Sequence, residues 1–196
     1  MKTYARTFRA SLLLASSLLL AGCGNDPIAT VKTGTLASDA SVTVGGALDG
    51  YRYFKTTKWE TLDTEQGRTV VQFTGAIKLE ALAGFTDEES HITITPAMVE
   101  KALSADKGLE VEYVCQFVIL KSSDHLFDLN YSGYKMRLLG VKDKASGGLA
   151  EQEFKDDDGS FLKAIFANKP APAMEGIFIA FGQLQAAESP APVPAP

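Results

Sequence analysis

Three consecutive aspartates followed by glycine, Asp156 to Gly159, are the residues most suggestive of chemistry in this chain. A calcium loop of the EF-hand type needs oxygen ligands at positions 1, 3 and 5, glycine at position 6 and glutamate at position 12. With Gly159 at position 6, Phe154 would stand at position 1 and Ile165 at position 12, and neither side chain can bind calcium. We therefore expect no metal or cofactor here, and expect the aspartates to favour the positive start of a helix capped by Ser160.

Serine, aspartate and histidine occur together from Ser122 to His125. A nucleophile, a base and an orienting carboxylate must come from separate elements, so neighbours within one turn cannot align as a triad. Serine and aspartate bond to their own backbone in turns, and a turn is what this stretch predicts. The other histidine, His91, is far away in sequence, and two isolated histidines do not predict a zinc site. No catalytic residue is predicted.

Cys115 lies on the apolar face of the most regular predicted strand, Leu109 to Leu120, together with Val111, Tyr113 and Phe117. A cysteine at such a position behaves as a small hydrophobic residue. Burial without basic neighbours does not lower the pKa of a thiol, so a structural role is expected.

Tyr51, Tyr53 and Trp59 form an aromatic cluster that allows two interpretations. The rings could pack in the core, with Trp59 facing Phe73 across a predicted hairpin. Alternatively, they could form an exposed aromatic patch that lines a ligand groove. Core packing is the favoured interpretation.

The second cysteine, Cys23, ends the sequence Leu20-Ala21-Gly22-Cys23, which closes an apolar run behind a basic head with Lys2, Arg6 and Arg9. The apolar core of this run is about ten residues long, half of what a membrane-spanning helix needs, so it predicts an export signal. The four residues resemble the lipobox of bacterial lipoproteins. The resemblance implies that residues 1–22 are removed and that Cys23 carries the lipid, with two or three acyl chains holding the protein firmly at a membrane.

Two further resemblances concern the residues after the cysteine. Gly24 stands where an aspartate would favour the inner membrane, and by similarity to enterobacterial sorting rules this implies the outer membrane. The stretch Ser41 to Gly75 resembles a module of small periplasmic lipoproteins of Gram-negative bacteria, to which no activity is attached.

The charge of the chain argues against an anionic partner. Removal of residues 1–22 leaves 16 basic and 24 acidic residues, a net charge of −8. Binding to nucleic acid or to anionic lipid requires a basic patch, so we expect the lipid anchor to be the contact with the membrane and an envelope protein to be the partner.

Helical and strand patterns alternate along the chain, which predicts an α+β domain, an antiparallel sheet with two or three helices packed on one face. One helix should have Val44, Ala47, Leu48 and Tyr51 on one face, with Thr43 or Ser41 as its cap. Another should begin at Pro96 after the cap Thr95, with Met98, Ala102 and Leu103 turned inward. The predicted organisation is a signal peptide at 1–22, the lipidated cysteine, a tether and an edge strand at 23–36, one α+β domain at 37–184 and a disordered Ala/Pro-rich tail at 185–196.

The function predicted from these features is that of a lipid-anchored, non-enzymatic binding or accessory module on the periplasmic side of the envelope. One alternative is a carrier of a small ligand or metal, with the acidic stretches Glu80–Ser90 and Asp156–Asp158 as sites. Another is an envelope hydrolase whose serine, aspartate and histidine come together from distant segments.

Overall fold

The computed structural model describes residues 26–65, 67–86, 91, 93–104, 108–121, 126–142 and 149–170. Their helices are α1 (Pro27–Thr33), α2 (Val44–Gly50), α3 (Pro96–Ala102) and α4 (Ser160–Phe166), with a short 3-10 helix at Leu79–Leu82. Their strands are β1 (Phe54–Asp63), β2 (Thr69–Ile77), β3 (Leu109–Ile119), β4 (Phe127–Lys142) and β5 (Leu149–Lys155). The Ala/Pro-rich tail predicted at 185–196 lies outside the described residues.

The five strands form one antiparallel sheet in the order β1-β2-β3-β4-β5. In β2 and β3 the side chains alternate between a buried and a partly exposed face. The register places Phe73 opposite Cys115 and Val71 opposite Phe117, so the buried faces of the two strands coincide. The apolar face predicted for Leu109 to Leu120 is confirmed.

The buried face of the sheet shares one core with buried residues of all four helices, among them Val31, Leu48, Val99 and Ile165. The α+β class is therefore confirmed, with the sheet as the dominant part. Four helices of seven residues each occur in the described part of the chain, where two or three were predicted. Helices this short are marginal alone in water, so packing on the sheet must hold them.

The first predicted element was wrong, because α1 takes the place of the edge strand expected between Ile28 and Leu36. The carboxylate of Asp26 accepts a hydrogen bond of 3.0 Å from the backbone N–H of Ile28. Pro27 stands at the first helical position, where its fixed φ suits a helix. Buried Val31 then anchors the helix in the core.

The helix predicted at Val44 is confirmed, and Thr43 caps it by accepting from Gly46 N–H. Gly45 of this helix faces α1. A Cβ on Gly45 would stand 2.8 Å from the carbonyl oxygen of Lys32. Glycine is required here because the two helix backbones come close together.

In α3, Thr95 caps and Pro96 begins the helix, as predicted. Ala102 is buried, but Leu103 is 52% exposed, and Val99 takes the inward position instead. The reason is that α3 ends at Ala102, so Leu103 lies beyond the helix and does not continue the buried face formed by Val99 and Ala102.

Candidate functional site

The aromatic cluster belongs to the core. Tyr51 and Tyr53 are 3% and 7% exposed, so the alternative of an exposed patch was wrong for both. The Tyr51 hydroxyl donates a 2.8 Å hydrogen bond to the carbonyl of Lys169, which ties the residues after α4 to the start of β1. Trp59 is half-buried, 4.9 Å from Phe73 between ring centroids, as predicted for the hairpin.

Asp156 is the buried member of the acidic stretch, at 8% exposure. Its carboxylate accepts hydrogen bonds from the backbone N–H groups of Phe161 (3.1 Å) and Leu162 (2.9 Å) and from the Ser132 hydroxyl (3.3 Å). An anion that accepts from the free N–H groups of a first helical turn stabilises the helix. The predicted role of these acids at a helix start is therefore confirmed for Asp156.

The capping role assigned to Ser160 was wrong, because Ser160 is the first residue of α4 and Gly159 precedes it in a left-handed conformation (φ 69°). Asp158 accepts a 2.9 Å hydrogen bond from the Ser160 backbone N–H, which lowers the pKa of its carboxyl. Asp157 pairs with Lys155 at 2.7 Å. Each aspartate of the stretch thus has a partner inside the protein.

Cys115 is completely buried in the centre of the sheet. Burial raises the pKa of its thiol to about 12, which leaves it protonated and unreactive at neutral pH. Burial also raises the pKa of the neighbouring Tyr113 and of Tyr134 well above the usual range.

Of the other predicted positions, the structure describes His91. His91 is exposed and has a positive φ of 57°. Ser122 to His125 and Cys23 lie outside the described residues. Within the described residues, no group of three or more His, Cys, Asp or Glu side chains is placed to hold a metal ion.

A groove that the sequence did not indicate lies between the 35–40 turn and the start of β4. Its volume is about 620 Å³, and Leu36, Phe127 and Leu129 line it together with Leu126. Leu126 and Leu129 are 49% and 37% exposed. We call this surface the leucine groove.

The leucine groove continues on both sides into smaller depressions. One shares Leu126 with it and reaches Asp26 and the exposed side of α1. The other shares Leu36 and Leu129 with it, has a volume of about 550 Å³ and extends over Leu162 to the acidic stretch. A continuous row of depressions, with apolar side chains at its centre and polar ones at both ends, therefore runs from Asp26 to the start of α4.

Comparisons with known protein families, with curated proteins and with solved structures found no match to this chain. No helix in the described ranges has the length and apolar character to cross a membrane.

Proposed function

We propose that this protein is a lipid-anchored envelope protein whose domain works as a non-enzymatic binding or accessory module. The observation that carries the proposal is Leu20-Ala21-Gly22-Cys23 at the end of a short apolar run with a basic head. In this proposal Cys23 is the first residue of the mature chain and carries the acyl chains. Gly24 after it favours the outer membrane, with the domain on the periplasmic side.

The short tether is consistent with an anchor at Cys23. The first described helix is capped by Asp26, three residues after Cys23. Three residues reach at most about 10 Å when fully extended. An anchor so close to α1 would hold the domain directly at the membrane surface.

The roles of the described polar groups favour binding over catalysis. Asp156 is engaged in capping α4, and Cys115 is a buried, protonated thiol. A catalytic base or nucleophile needs a free side chain within reach of a substrate. Neither group meets that requirement.

The proposal is tested by comparing the unaltered chain with C23S and C115A in the natural host. We expect the unaltered chain and C115A in the membrane fraction with the mass of the lipidated form. C23S should keep an unprocessed N-terminus without lipid. The proposed anchor would be refuted if C23S were lipidated to the same extent as the unaltered chain, or if the unaltered chain carried no lipid.

A small-ligand carrier is the second candidate, and the depression of about 550 Å³ beside the acidic stretch favours it. Leucine and phenylalanine side chains form part of its lining. Its charged residues are Asp39, the aspartates of the acidic stretch and one lysine, Lys163, and this excess of negative charge suits an apolar ligand with a positive group. Screening cationic amphiphiles for an increase in the Tm of the protein tests this candidate, because a ligand that binds only the native state raises it.

A further inference from the structure

We propose that the leucine groove is a membrane-docking surface that rests on the zwitterionic lipid headgroups around the anchor. This inference rests on the proposed lipidation of Cys23. It adds an orientation: the end of the sheet that carries Leu126 and Leu129 faces the bilayer, and the opposite end faces away.

The distribution of exposed leucines carries the inference. Among the residues whose side-chain exposure is described, which leaves out 141–150, four leucines are exposed: Leu62, Leu103, Leu126 and Leu129. Leu126 and Leu129 lie where β4 begins, opposite the end of β3. Leu62 lies at the same end, because its partner Val70 pairs with Val118, and Val118 pairs with Asp128.

Leu103 lies at the other end of the sheet. Leu103 shares a depression with Leu109, the first residue of β3. The leucine groove lies at the opposite end of this strand, where the last residue, Ile119, pairs with Phe127. β3 has 11 residues, and a strand rises about 3.3 Å per residue, so the two ends are roughly 35 Å apart. Three of the four exposed leucines are thus gathered at one end.

The anchor emerges on the same side as the leucine groove. Asp26 and Leu126 line one depression, and Cys23 is three residues before Asp26. Because three residues reach no more than about 10 Å, Cys23 cannot move far from Leu126. A bilayer holding the acyl chains is therefore the apolar surface closest to this groove.

The charges around the groove select the kind of lipid. Asp26 and Asp128 are exposed beside Leu126, and Asp39 lies at the adjoining depression, whose lining contains one basic residue, Lys163, against several aspartates. These carboxylates would be repelled by anionic headgroups, and the mature chain has a net charge of −8. Docking should therefore depend on the insertion of leucine side chains and should be strongest on zwitterionic lipids.

The test places an environment-sensitive fluorophore (NBD) on L129C or, as the matched control, on L103C in the full lipidated protein. Buried Cys115 does not compete for the label, and Cys23 is occupied by lipid. The proteins are reconstituted in phosphatidylethanolamine–phosphatidylcholine vesicles, with and without phosphatidylglycerol, and lipidation is verified by mass spectrometry. Quenching by lipids that carry a spin label in the acyl chain reports contact with the bilayer.

We expect the emission at position 129 to shift to shorter wavelength on vesicles and to be quenched, and the emission at position 103 to stay unchanged. Phosphatidylglycerol should reduce the shift at position 129. Equal emission at the two positions in a lipidated, vesicle-bound protein would refute docking while leaving the anchor intact. A shift that grows with protein concentration without vesicles would assign the groove to a second copy of the chain. An unlipidated protein would refute anchor and docking together.

As a check that needs no label, hydrogen exchange of the unaltered lipidated protein is compared on vesicles and in detergent. Slower exchange on vesicles at residues 126–129 supports docking, whereas equal rates contradict it.

Discussion

Replacing Asp156 by alanine should destabilise the fold more than any other change in the acidic stretch. Its carboxylate accepts from two backbone N–H groups of α4 and from the Ser132 hydroxyl, at 2.9 to 3.3 Å. Loss of a capping acceptor costs roughly 1–2 kcal/mol. A buried donor left without an acceptor adds about 1 kcal/mol or more. We therefore expect D156A to lower the free energy of unfolding by about 3 kcal/mol.

The assay is urea unfolding followed by the fluorescence of Trp59, the only tryptophan of the chain. Trp59 is half-buried against Phe73, so its emission reports the core. The midpoint should fall while the slope of the free energy with urea stays the same, since the surface exposed on unfolding changes little.

D157A is the matched control for D156A. The Asp157 side chain is 76% exposed and pairs only at the surface with Lys155. Surface pairs contribute about 0–1 kcal/mol, so D157A should stay close to the unaltered protein. D156N keeps one acceptor oxygen, so its urea midpoint should lie between those of D156A and D157A. If D156A and D157A unfold at the same urea concentration, the capping role of Asp156 is refuted.

Further predictions concern the helix contact, the buried thiol and metal binding. G45A should destabilise the protein, because the added Cβ would stand 2.8 Å from the Lys32 carbonyl oxygen. In the control G50A the added Cβ would have no neighbour within 4 Å, so this change should be neutral or stabilising. Thermal unfolding compares the Tm of the two variants. Cys115 should resist iodoacetamide at pH 8 until urea unfolds the protein, and rapid native labelling would contradict its burial. The pKa of Cys115 is about 12 in the folded protein and 9.0 ordinarily, so the thiol contributes its full stabilisation below pH 9 and loses it as the pH rises toward 12. The free energy of unfolding, measured in urea, should therefore fall less over this pH range in C115A than in the unaltered protein. Millimolar calcium or zinc should leave the Tm unchanged, since the Asp156 carboxylate is engaged in capping; a clear rise would favour the carrier.

The elements with strong local signals were predictable from the sequence. The apolar face of β3 was predicted from alternation, and hydroxyl residues indicated the starts of two helices, at Thr43 or Ser41 and at Thr95, of which Thr43 and Thr95 are the caps. Each signal is local and acts through backbone geometry or side-chain direction.

Other elements depend on contacts that no local pattern contains. β5 was missed because it is an edge strand with exposed residues at 151–153, so it shows no apolar alternation. α1 was not predicted, although Asp26 is a suitable cap and Pro27 a suitable first helical residue. These residues were instead interpreted as part of the tether that follows Cys23. The leucine groove joins the 35–40 turn to Leu126 and Leu129, about ninety residues later, and only the fold brings them together.

The most direct test of the account is the mass of the N-terminal peptide of the protein taken from envelope membranes. If the protein is lipid-anchored, this peptide begins at Cys23, with a diacylglycerol thioether on its sulfur and an acyl group on its amino nitrogen. A peptide that begins at Met1, or at any residue other than Cys23, with an unmodified thiol would contradict it.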